Sequence, residues 1–253
     1  MPYFTNNGHR LHYREAGSGP LLLLLHGNTA SSVNHEGELA HFCDRFHVVA
    51  LDFLGTGLSD RMKEWPDDWW AQGARDGAVL AEHLGYERTF VAGTSGGGIA
   101  ALQMAIFFPD LVDAVIADSC PAHTTPEERR NEVAFRSRRS PRQIEFWHRA
   151  HGDDWEEVVE SDSQFLLRTA ERNEDPLLGR LSSIRCPVLF TGSFRDKSIP
   201  TLDTQICGMA KEIPGSQIFM SNDGAHPLMW SAPNIFHRIA DPFLDSLVRA
   251  AVS

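Results

Sequence analysis

Ser95 stands inside Gly93-Thr94-Ser95-Gly96-Gly97, a G-x-S-x-G pattern. A serine hydroxyl becomes a working nucleophile only with a base beside it and a third group that orients the base. Two downstream stretches supply both. "FTGSFRDKSIP" (190–200) carries Asp196, and "SNDGAHPLMW" (221–230) carries His226. The order Ser95, Asp196, His226 is the one expected when the nucleophile sits on a strand-to-helix elbow. The chain has 12 histidines, so position selects among them. His226 follows the last predicted strand and precedes the final helix. Asp118 in "VIADSC" also ends a predicted strand and stays a rival acid. For either aspartate the plain alternative is a loop carboxylate capping a helix.

The serine pattern alone is weak. With glycine near 7% of residues and serine similar, chance produces it in about one chain in ten of this length. Its setting carries the weight. "RTFVAGTSGGGIAAL" (88–102) runs from apolar strand spacing through glycines into helical spacing. An elbow holds its central residue in a sparsely populated backbone region, so that the side chain projects clear. Strand and helix then approach closely, which Gly93 and Gly97 permit. The free N–H groups at the helix start suit a developing oxyanion. A second donor must come from another turn, and "LLLLLHGNTASS" ends a strand at His26-Gly27-Asn28. The N–H groups of Asn28 and Gly96 are the expected oxyanion hole. His26 reads as a structural bridge between loops.

These groups need elements to position them. Apolar runs predict strands at 9–19 (paired with residues near 2–5), 20–28, 47–53, 89–93, 113–119, 186–193 and 216–223. Continuous runs such as "PLLLLLHGN" fit strands buried on both faces. Helical spacing lies between them at 32–45, 68–84, 96–108, 201–212 and 230–249. Alternation of this kind predicts a mostly parallel sheet with helices on both faces. Residues 122–183 break it. They are charged, helical and punctuated by Pro126, Pro141, Gly152 and Pro176, which reads as three or four short helices. Leaving from a strand end, they are expected to cap the edge where open α/β sheets bind ligands.

Composition excludes several classes. The 253 residues suit one large α/β domain or two small ones, and a formal net charge of −11 disfavours nucleic acid. The four cysteines form no C-x-x-C pair, so reduced, mostly buried thiols are expected rather than zinc or a disulfide framework. The start lacks a signal-peptide pattern, and the longest apolar run, 21–25, cannot span a bilayer. A cytoplasmic protein with no membrane partner is expected; homodimerisation is left open.

Together, His26-Gly27-Asn28, the elbow, Asp196 and His226 resemble the α/β-hydrolase superfamily, and "DFLGTGLSD" (52–60) matches its D-x-x-G-x-G-x-S-D loop. The resemblance covers nearly the whole chain. It implies the α/β-hydrolase fold, with residues 1–121 and 184–253 as main domain and 122–183 as a small helical cap. The elbow and the "DPLLGRLSSIRCPVLFTGSFRD" approach are similar to valacyclovirase-like and enol-lactonase-like serine hydrolases. By resemblance, the activity is hydrolysis of a small-molecule ester with no metal or organic cofactor. Valacyclovirase-like enzymes carry an acidic residue after the serine; Gly96 here argues against amino-acid esters. Serine at position 95 disfavours the dehalogenases that share the His-Gly-Asn turn, because they need an aspartate nucleophile. The H-G-G-G turn of another esterase branch is missing from the sequence.

The expected function is therefore a carboxylesterase acting on small to medium esters through an acyl-enzyme. The alternatives are a lactonase or C–C bond hydrolase with the same triad, or a slow-turnover ligand receptor on the same fold. Phe135, Phe146, Trp147 and Trp155, with Phe165, suggest an apolar substrate pocket under the cap, or simply glue between cap and main domain. The arginine-rich run 129–149 reads as a solvated helical face, with attraction of a substrate carboxylate as the alternative. Trp65, Trp69 and Trp70 either line the way in or pack the second helix.

Overall fold

The computed structural model describes residues 2–172 and 175–252. One eight-stranded sheet organises the chain, in the order β1 (Tyr3–Asn6), β2 (His9–Ala16), β4 (His47–Leu51), β3 (Leu21–Leu25), β5 (Thr89–Thr94), β6 (Val112–Asp118), β7 (Val188–Ser193), β8 (Gln217–Ser221). β1 and β2 are antiparallel at one edge, and from β4 to β8 every pairing is parallel. All five residues of β3 are fully buried. Leu21, Leu23 and Leu25 face one core cluster, and Leu22 and Leu24 face the other. Period-two alternation between two covered faces explains the unbroken leucine run.

The helices are α1 (Glu36–Phe42), α2 (Trp69–His83), α3 (Gly96–Phe107), α4 (Pro126–Arg136), α5 (Pro141–His151), α6 (Trp155–Arg172), α7 (Leu202–Glu212), α8 (Leu228–Ser231) and α9 (Pro233–Val252). Two expected helices are divided. Residues 32–45 form a 3-10 turn, Ser32–His35, before α1, and the last helix is split ahead of Pro233. Proline cannot donate to the preceding turn, so a helix starts there more readily than it continues. Among the described residues no helix is long and apolar enough to cross a membrane. Of the four thiols, only Cys120 is buried; Cys207 is exposed and the other two are part-buried.

Residues between β6 and β7 form α4, α5 and α6. α4 and α5 begin alike. Thr125 and Ser140 are N-caps with capping boxes closed by Glu128 and Gln143, each followed by proline at the first helical position. α6 is longer than expected, and its Val158, Phe165 and Leu166 join the main core. Trp65 stacks on Trp69 at 4.2 Å, and Trp69 and Trp70 both meet Phe165 edge-on. The three tryptophans thus pack α2 and its approach against α6. The arginine run is not uniformly solvated: Arg129 and Arg136 are each only 7% exposed.

Candidate active site

The parallel strands bring the turns after β3, β5, β6, β7 and β8 to one edge of the sheet. Ser95 links β5 to α3 with φ 53° and ψ −120°. A positive φ is costly for a residue with a Cβ, and this one is held by its surroundings. Its N–H donates to the Asp118 carbonyl at 2.8 Å. A Cβ at Gly93 would drive into the Gly97 carbonyl, and one at Gly97 into the Leu25 carbonyl. The two glycines are required by close approach of α3 to β5 and β3.

Asn28, in the turn after β3, lies against Gly96. Its side-chain Oδ1 accepts from Trp70 Nε1 at 3.1 Å, and its Nδ2 donates to Asp162 Oδ1 at 3.0 Å. The side-chain amide is therefore occupied in positioning the turn. The Gly96 N–H belongs to the first turn of α3, where helix geometry supplies no acceptor.

His226 lies in the loop after β8. Its Nδ1 is 2.7 Å from Asp196 Oδ2, across loops thirty residues apart. The other carboxylate oxygen of Asp196 accepts from the N–H groups of Ser198 (2.8 Å) and Ile199 (2.9 Å). Both oxygens are engaged, so the carboxylate has a defined orientation. Burial pulls the His226 pKa down, but the hydrogen bond and charge of Asp196, with Asp118 and Glu132 behind it, raise it above the ordinary value.

Asp118 is placed differently. Its Oδ1 accepts from Thr191 Oγ1 at 2.7 Å, and its Oδ2 from the Met229 N–H at 3.0 Å. It tethers the segment just after His226 and touches the imidazole only through its charge. Burial pushes its carboxyl up to about 7. His26 bridges loops: Nδ1 bonds the Gly27 carbonyl at 2.8 Å, and Nε2 accepts from the Phe53 N–H at 3.1 Å. Burial lowers its pKa to about 4, so it is neutral near pH 7.

A partly open cavity of about 40 Å³ lies among these parts. Ser95, Gly96, Asn28 and His226 line it from the sheet, and Glu128, Arg129 and Glu132 from α4. The insertion thus presents charge here rather than the expected aromatics. Phe135, Phe146 and Trp147 line an open groove of about 670 Å³, which shares Ser198 and His226 with that cavity. Trp155 lines neither; it stacks on Trp147 at 5.5 Å within the insertion. Trp155 and Trp147 are buried together with Val159, and Phe146 packs against them.

Sequence reasoning missed Asp162. It is fully buried in α6 and accepts from Asn28 Nδ2, the Thr29 N–H at 2.9 Å and Arg136 Nη1 at 2.7 Å. The available signal was its place on the apolar stripe of α6, in register with Trp155, Val158, Val159, Phe165 and Leu166. Trp70 and Arg129, both raised by the sequence without a decided role, meet at 5.1 Å. Among the described residues no group of three or more His, Cys, Asp or Glu side chains is arranged to hold a metal ion.

The sequence profile of the alpha/beta hydrolase fold matches residues 20–158, more than half the chain. The chain belongs to the alpha/beta hydrolase family. An uncharacterised protein of Mycobacterium tuberculosis is 40% identical over 117 residues, which cover 46% of this chain and 33% of that protein. The chain thus spans about a third of the length of the curated relatives it matches first. Serine hydrolase BPHL of Homo sapiens is 27% identical over 254 residues, covering 94% of this alpha/beta hydrolase and 84% of the human protein. Among solved structures, the enol-lactonase from Burkholderia xenovorans LB400 superposes with a TM-score of 0.77 at 19% identity, covering 96% of this chain and 100% of that one. That likeness is one of fold.

Proposed function

We propose that this alpha/beta hydrolase is a serine hydrolase of carboxylesterase type, acting on small to medium esters. Ser95 is the nucleophile, His226 the base and Asp196 the group that orients it. The observation that carries the assignment is the 2.7 Å Asp196–His226 contact, with His226 and the positive-φ Ser95 on the wall of one cavity.

His226 removes the Ser95 proton as Oγ attacks the ester carbonyl. Asp196 keeps the proton on Nδ1, leaving Nε2 free as base, and stabilises the imidazolium that forms. The N–H groups of Asn28 and Gly96 receive the oxyanion. His226 then protonates the leaving alcohol, and water, deprotonated by the same imidazole, releases the acid from the acyl-enzyme. Residues 122–183 act as a cap that supplies the far wall of the pocket.

The test is fluorophosphonate labelling followed by peptide mapping, with a panel of esters, lactones and vinylogous diketones. Modification at Ser95 with turnover of esters is expected. A chain modified elsewhere sinks the nucleophile, and a preference for lactones or diketones over esters sinks the substrate class.

A further inference from the structure

We infer that Arg129 is a carboxylate-binding subsite beside Ser95, and that the substrate is an ester bearing a free carboxylate. The inference rests on Ser95 being the nucleophile and adds what the substrate carries.

Arg129 sits one turn into α4, and its side chain borders the Ser95 cavity. Although only 7% exposed, its guanidinium has no protein acceptor within hydrogen-bond distance among the described residues. Among the described residues its ion-pair contact is long, 3.8 Å from Nη1 to Glu132 Oε2, and its Cζ lies 5.1 Å from the centre of the Trp70 ring. Arg136, two helical turns further on, is equally buried but hydrogen-bonded, to Asp162 at 2.7 Å and Glu132 at 2.5 Å. With no protein acceptor and with nitrogens still reached by solvent, this fork of donors is free to take a planar acceptor from a ligand.

The neighbouring carboxylates do not offer the opposite specificity. Glu128 Oε2 accepts from the Thr125 N–H and hydroxyl, both at 2.8 Å, closing the helix cap. Glu132 is drawn to Arg136. Each of these acids already has one oxygen hydrogen-bonded within the protein, whereas the Arg129 guanidinium has no such bond. A carboxylate matches the planar fork in geometry and adds one negative charge. A phosphate would bring close to two charges against Glu128 and Glu132, which line the same cavity.

Two matched pairs test this: p-nitrophenyl hydrogen glutarate against p-nitrophenyl valerate, and acetoxyacetate against propyl acetate. They place the carboxylate on the acyl and alcohol sides. The wild-type chain is expected to prefer the anionic ester of at least one pair by about tenfold or more in kcat/KM, chiefly through KM. Arg129→Gln should shrink that preference by about 10- to 100-fold, with Arg129→Lys intermediate. Glutarate alone should raise the wild-type Tm and not that of Arg129→Gln. If Arg129→Gln does not fold, as read by circular dichroism, Arg129→Lys carries both comparisons. No anionic preference in either pair, an unchanged preference in the folded variants, or stabilisation by inorganic phosphate instead of glutarate would overturn the subsite. Failure of fluorophosphonate to label Ser95 strikes the nucleophile instead, and the glutarate measurement still reports on Arg129.

Discussion

A Cβ on Gly96 would collide with Oδ1 of Asn28 and stand 2.6 Å from the Trp70 Nε1 that bonds it. Position 96 is therefore bare because the Asn28 amide lies over it, which is a packing demand of this turn. The sequence reads Gly96 as an oxyanion donor whose missing side chain argues against amino-acid esters, without this packing reason. Gly96→Ala is expected to push the Asn28 turn away and lower kcat/KM by about 10²-fold with the fold kept. Steady-state kinetics alongside near-UV circular dichroism measure this; unaltered kinetics would contradict the described contact.

The two candidate acids should separate cleanly. Asp196→Asn leaves Nδ1 of His226 without its carboxylate and is expected to cut kcat by about 10³–10⁴-fold. Asp118→Asn should cost about tenfold or less, since Asp118 bonds Thr191 and Met229. Equal losses would reverse the assignment. Asp118 also leaves a stability signature. Its carboxyl rises from 3.8 to about 7 on folding, so the folded state holds this proton more tightly. The contribution is whole below the unfolded value and is lost as pH rises through about 7. Asp118→Asn should flatten that decline in a Tm–pH series.

The raised His226 pKa sets an acid limb. Catalysis as base needs the neutral imidazole, so kcat/KM should climb with pH to a midpoint above the ordinary 6.5. Glu132 is among the groups that raise it. Glu132→Gln is expected to move the midpoint down. A wild-type midpoint at or below 6.5 would contradict the Asp196–His226 coupling.

Asp162→Asn removes the charge that answers Arg136 and one acceptor of the Asn28 turn. Breaking a buried pair on one side costs about 3–5 kcal/mol. A marked fall in Tm, read by thermal unfolding, should accompany a loss of kcat/KM; Asp162→Glu should recover neither, because the longer side chain cannot fit a fully buried site.

The eight strands and the alpha/beta hydrolase fold are legible because both rest on local patterns: apolar runs for β3 to β7, and glycines where chain segments touch. The turns bearing Ser95, Asp196 and His226 follow from the same register, since parallel strands deliver their ends to one edge. What was not legible depends on distant pairs. Asn28 and Asp162 are 134 residues apart, and no periodicity links them. The aromatics of 122–183 read as pocket walls because spacing shows that a face is apolar, not which surface covers it. Trp155 found Trp147, and the charged α4 found Ser95.

Asp162 finally bears on how interchangeable the parts of this chain are. Sheet and insertion look separable along the sequence, yet Asn28 reaches across to α6 for its partner. A chimera carrying a foreign insertion on this sheet must bring an acceptor to the same point. Without one, it would inherit Ser95 and His226 intact beside a turn whose Asn28 amide had lost its anchor.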